Sequence, residues 1–120
     1  MSDDGKALLL QTAANMGKYY AFVGQALRAI SDPAAAAQLP AGVLDTQLDQ
    51  LRNALAPALD TNPVVRDNID EVHAELARIR RGAADGAGNA AAVDEARRFG
   101  ARIQERAKAV SDLVALFRRL

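Results

Sequence analysis

The amino-acid sequence predicts an all-α, antiparallel four-helix bundle of up-down-up-down topology, with long first and last helices and a short linking helix after the first. Three observations predict it. Apolar residues recur at alternating steps of three and four through four long segments, which places them along one face of a helix. Between the segments stand cap-then-proline signals and one glycine-rich stretch, the residue types that end one helix and start the next. No segment alternates with a period of two, so no sheet is expected.

The first segment, about residues 3–30, carries Leu9, Ala13, Met16, Tyr20, Val23, Leu27 and Ile30 on one seam. Ser2, Asp3 and Asp4 suit its start, because short polar side chains cap free amides and negative charge complements the helix dipole. Gly17 and Gly24 stand inside it, each costing up to about 1 kcal/mol relative to Ala, and are expected to allow another helix to approach closely. Ser31-Asp32-Pro33 closes this helix and opens the linking helix, residues 34–39, which Pro40 and Gly42 stop.

The second long helix, about residues 41–59, repeats leucine at Leu44, Leu48, Leu51, Leu55 and Leu59, with Asp45, Gln47, Asp49, Gln50 and Arg52 opposite. Pro57 removes a backbone donor and is expected to bend or end it. Asp60-Thr61-Asn62-Pro63 repeats the cap-then-proline signal, and the third helix follows to about Arg81 with Val65, Ile69, Val72, Leu76 and Ile79 at heptad spacing. Its acids come early and Arg78, Arg80 and Arg81 late, as the helix dipole favours. Residues 82–89, with glycines at 82, 86 and 88, read as a loop. This loop follows a helix and lacks the Lys-Ser/Thr ending of a phosphate-binding loop. The last helix, about residues 90–120, has a seam of Val93, Ala96, Gly100, Ile103, Ala107, Val110, Val114 and Phe117.

A chain of 120 residues suits one domain, residues 1–120, able to bury a core without disulfides. Only five residues are aromatic and none is Trp, so Ala fills much of the apolar half of the composition and the helices must pack closely. The absence of cysteine excludes thiolate metal sites and thiol nucleophiles. No apolar run approaches the roughly 20 residues that cross a bilayer, and the acidic start is unlike a secretory signal, so a cytoplasmic protein is expected. Formal net charge is zero. Residues 1–60 hold four basic and six acidic groups and residues 61–120 eleven and nine, too even for a protein whose affinity comes from phosphate neutralisation. Sequence-specific nucleic-acid binding is not expected.

The long helices carry more apolar surface than one seam consumes. Leu8, Tyr19, Phe22 and Ala26 lie beside the seam of the first, and Phe99, Leu113, Leu116 and Leu120 beside that of the last, to be buried in a stripe wider than the seam or offered to a partner. Tyr19, Phe22 and the four on the last helix, with Phe117, are the candidate interface residues, and the run Leu113 to Leu120, broken by Arg118-Arg119, is the candidate overhang past the shorter helices. Arg98, Arg102 and Arg106, at steps of four, form a candidate basic contact face for an acidic partner.

Chemistry-bearing patterns are sparse. Asp45 and Asp49, or Asp67, Glu71 and Glu75, share helix faces, but general acid work needs burial or a close partner to raise a pKa. His73 is the only histidine, with Asp70 three residues before it; one Asp-x-x-His is short of a bundle metal site, which pairs two Glu-x-x-His motifs. In length and in having one helical histidine the chain resembles histidine phosphotransfer domains, which place His-x-Leu-Lys-Gly at the acceptor. Here the run is His73-Ala74-Glu75-Leu76-Ala77, without the lysine or glycine. The function expected is therefore a non-enzymatic interaction or assembly module, acting through its first and last helices on a protein partner or on itself as a homodimer, without a cofactor. The alternative is a small-ligand-binding or phosphotransfer-like bundle centred near Tyr20 or His73.

Overall fold

The structure, a computed structural model, describes residues 3–32, 34, 37, 41–85 and 90–119. Among them are four long helices and no strand: α1 (Asp3–Ser31), α2 (Ala41–Thr61), α3 (Pro63–Asp85) and α4 (Ala90–Arg118). The expected linking helix falls largely outside the described residues, though Asp32 accepts a hydrogen bond from the Ala34 amide at 3.0 Å, as a helix cap does. The bundle is a rod of 52 × 25 × 23 Å.

Cross-helix contacts give the directions. Arg52 meets Asp70 at 3.1 Å and Arg80 meets Asp45 at 2.6 Å, so α2 and α3 run antiparallel. Arg78 pairs with Glu95 at 3.0 Å while Glu75 feels Arg102, so α3 and α4 do the same. Gly17 faces Val110, whereas later residues of α1 share a groove with earlier residues of α4, and this third pair is antiparallel too. The order is the expected up-down-up-down, with α1 and α4 the most closely packed pair.

All four helices feed one core. Tyr20, Val23 and Leu27 of α1 meet Leu44, Leu48 and Leu55 of α2, Ile69, Val72, Leu76 and Ile79 of α3, and Ala96, Phe99 and Ile103 of α4. Tyr19, Val23, Ile69 and Val72 are wholly excluded from solvent. Burying each of these aliphatic side chains contributes on the order of 1.5–3 kcal/mol.

Local chemistry explains where helices end, and it moves two expected boundaries. Pro57 neither ends α2 nor marks its last residue: the helix continues to Thr61. Pro57 is exposed, and the carbonyl its missing N–H leaves without a donor belongs to the exposed Asn53, where water can serve it. Thr61 Oγ1 donates to the Pro57 carbonyl at 3.1 Å and the Asn62 amide to the Ala58 carbonyl at 2.9 Å, which closes the helix. Asn62 then caps α3, its Oδ1 accepting from the amides of Val64 and Val65 at 3.1 and 3.2 Å, with Pro63 in the first helical position. At its other end α3 runs through Gly82 to Asp85, because one glycine among alanines costs a helix too little to stop it. Of the expected loop, residues 82–85 are therefore helical, and residues 86–89 lie outside the described residues.

The seam of α4 is also turned by about one residue in its first half. Ala92, Ala96, Phe99 and Ile103 are buried, while Val93 and Gly100 are only half-buried. The large Phe99 ring takes the inward position that the heptad count assigned to Gly100, and Gly100 rotates to the outer side of the α1–α4 pair.

Candidate interaction surface

The two long helices outrun the two short ones. With Arg78 level with Glu95, the start of α3 at Pro63 lies level with about residue 110 of α4, which is where Gly17 of α1 also sits. Beyond that level α4 continues to Arg118, about 12 Å further, and α1 extends about 20 Å to its first turn, at 1.5 Å per residue. In this two-helix extension the heptad seam goes on but its cover stops. Among the described residues none of α4 beyond Ile103 is buried, and none of α1 before Ala13.

The extension therefore exposes large apolar side chains: Leu8 at 67 %, Leu9 at 42 %, Leu113 at 44 % and Leu116 at 55 %. Val64, in the first turn of α3 at the same level, is 70 % exposed. Leu9 is a correction to the sequence reading, which counted it as core. Its spacing is right for the seam, but no third or fourth helix reaches it. Asp4 on α1 and Arg118 and Arg119 on α4 are exposed at this end, so it carries both signs of charge.

The candidate interface residues separate. Leu113 and Leu116 are exposed, Phe117 and Phe22 are half-buried, and Leu120 lies outside the described residues. Tyr19 and Phe99 are corrected: at 0 % and 8 % exposure they are core residues and present nothing to a partner. Both stand beside a heptad seam, and in a four-helix core each helix faces two neighbours, so the buried stripe is wider than the seam. Leu8, Leu9 and Val64 complete the exposed set at this end, and Val43, also exposed, stands in the first turn of α2 at the other. Unequal helix lengths were the signal for the set at this end, since a seam longer than its neighbours must end in solvent.

The three candidate basic residues do not act as one face. Arg98 pairs with Asp94 at 3.0 Å on its own helix, Arg102 stands near Glu75 of α3, and Arg106 is half-buried beside Tyr20. Arg78 bridges Glu75 and Glu95, and its hydrogen bond is the main cause that holds the Glu75 carboxyl below its ordinary pKa. These ion pairs are open to solvent, which screens them, so they add little to stability.

A polar cluster lies where α1, α2 and α3 meet. Burial pushes the Tyr19 hydroxyl up to a pKa of about 12, opposed by the nearby Arg52 guanidinium. Tyr19 Oη and Arg52 Nε are both buried without a hydrogen-bond partner, although Arg52 spends its Nη2 on Asp70. His73, half-buried on the same side, has its pKa lowered, first by desolvation and then by Arg52, with Asp49 and Asp70 opposing. Among the described residues no three His, Asp or Glu side chains converge as a metal site would require, and no helix is long and apolar enough to cross a membrane.

The fold defines an antiparallel four-helix bundle with one open end. Compared with family models, with curated proteins and with solved structures, the chain matches none.

Proposed function

We propose that this chain is a non-enzymatic assembly module that pairs with a second copy of itself through the two-helix extension of α1 and α4. The observation that carries the reading is the group of large apolar side chains left in water past the level where α2 and α3 stop: Leu9 on the seam of α1, and Leu8, Leu113 and Leu116 beside the two seams. Apolar side chains grouped at one end gain free energy when a partner covers them, by about 25 cal/mol for each Å² removed from water. Asp4 on one helix and Arg118 and Arg119 on the other favour a copy related by a two-fold axis, because such a copy sets acid against base. In this reading the module works in the cytoplasm and needs no cofactor.

The relay reading gains less support. His73 is half-buried, with Arg52 as well as Asp49 and Asp70 near it, and its sequence run lacks the lysine and glycine of a phosphoryl acceptor. The test of the assembly reading is a dilution series followed by amide chemical shifts. Shifts confined to residues 5–12 and 110–118 are expected. Shifts spread over α2 and α3, or none over the accessible concentration range, would place self-association elsewhere or remove it.

A further inference from the structure

On the side of the α1–α4 pair away from α2 and α3 lies a groove of about 520 Å³, within the size range of small-molecule sites. Its floor is Tyr20, Leu27 and Ile103, all 3 % exposed or less, and its walls are small: Ala21, Gly24, Gly100 and Ala101. A Cβ placed on Gly24 or on Gly100 would meet nothing within 4 Å. The two glycines therefore cost the helices about 0.5–1 kcal/mol each without returning any packing. What they do is keep the groove open.

The groove is electrically lopsided. None of its lining residues is acidic, and its two cations, Arg28 and Arg97, stand at one end beside Ser31, where α1 finishes and α4 begins. Neither arginine takes part in an ion pair among the described residues. The nearest acids are already used: Asp32 accepts from the Ala34 amide and Asp94 pairs with Arg98. The other end is lined by Tyr20 and Ala107, with Arg106 near Tyr20 but not among the lining residues. Between the ends run roughly three turns of each helix, about 16 Å, which is about the length of an extended chain of a dozen carbons.

We infer that this groove binds a single-chain amphiphile, with its anionic head on Arg28 and Arg97 and its alkyl tail along Gly24 and Gly100 to Tyr20. The unpaired arginines at one end call for an anion and the mostly apolar remainder for an alkyl chain, and a small amphiphile supplies both in one molecule. The groove and the open end share no residue, so either can fail alone.

Calorimetric titration with dodecanoate below its micellar concentration tests the assignment, alongside dodecanol, octanoate and anionic lipid vesicles. Saturable one-to-one binding of dodecanoate is expected, with dodecanol and octanoate weaker and vesicles not retained. Arg28→Gln combined with Arg97→Gln, both at exposed positions, should weaken dodecanoate by about tenfold or more, as loss of hydrogen bonds to a charged group predicts. Gly24→Ala with Gly100→Ala should weaken it too, while circular dichroism stays helical. Equal affinity in the double-glutamine variant, equal affinity for dodecanol, or no saturable heat would overturn the inference, as would capture by vesicles alone. A loss of binding on Leu113→Asp with Leu116→Asp would overturn it as well, by moving the ligand to the open end.

Discussion

The Cβ position of Gly17 on α1 lies 3.7 Å from Val110 Cγ1 on α4, an ordinary van der Waals contact that sets the level of one long helix against the other. From that level the two helices run on together without α2 or α3. The exposed leucines follow from it, and so do the predictions for the glycines.

Glycine is required at none of positions 17, 24 and 100. Alanine at 17 fits against Val110, and alanine at 24 or 100 enters open space. Each single change to alanine is expected to stabilise the fold by about 0.5–1 kcal/mol, raising the melting temperature by a few degrees. A fall in melting temperature for Gly24→Ala would mean that another element covers the groove.

The leucines divide by position rather than by type. Leu55, 1 % exposed, is expected to cost about 2–5 kcal/mol when changed to alanine. Leu116, 55 % exposed, should change monomer stability by less than about 0.5 kcal/mol. Urea unfolding of the two variants at low concentration checks the contrast, and equal losses would contradict the placement of the extension.

The Tyr19 hydroxyl is buried without a partner, so removing it takes away a desolvation cost and no hydrogen bond. Tyr19→Phe is expected to be neutral or stabilising by up to about 1 kcal/mol in the same unfolding measurement. A loss of more than that would show that the hydroxyl is held by Arg52 or by an ordered water.

His73 makes the fold sensitive to mild acid. Its folded pKa is below the ordinary value of 6.5, chiefly because burial disfavours the imidazolium. The unfolded chain therefore takes up the proton first, and stability falls as pH drops from neutral through 6.5 towards the lower folded pKa. His73→Gln should flatten the stability profile over that window. Glu75, whose folded pKa is also lowered, adds its own loss only further down, below its ordinary 4.5. A profile of unchanged slope in His73→Gln would assign the dependence to other groups.

Much of the fold was legible in the residues, and what was not legible has a common cause. Leu44, Leu48, Leu55, Ile69, Val72, Leu76 and Ile79 stand at heptad spacing on α2 and α3 and all reach the core, because those helices are flanked along their whole length. Asn62 and Pro63 announced the start of α3, since capping is decided within a few residues. Periodicity does not say how long the neighbouring helix is, so Leu9 counted as core although nothing covers it. Nor does it rank two adjacent positions by size, and that is how Phe99 displaced Gly100 and opened the groove. Tyr19 and Arg52 come together from different helices, a placement no local spacing records. The same limit holds for Arg98, which pairs on its own helix, and for Arg102 and Arg106, which stand near Glu75 of α3 and Tyr20 of α1.

The most direct test of assembly through the open end is sedimentation velocity across a concentration series, comparing the unaltered chain with Leu113→Asp combined with Leu116→Asp. The account predicts a concentration-dependent dimer for the unaltered chain and a monomer of unchanged helicity for the variant. A unaltered chain that stays monomeric throughout, or a variant that dimerises as well as its parent, would contradict it.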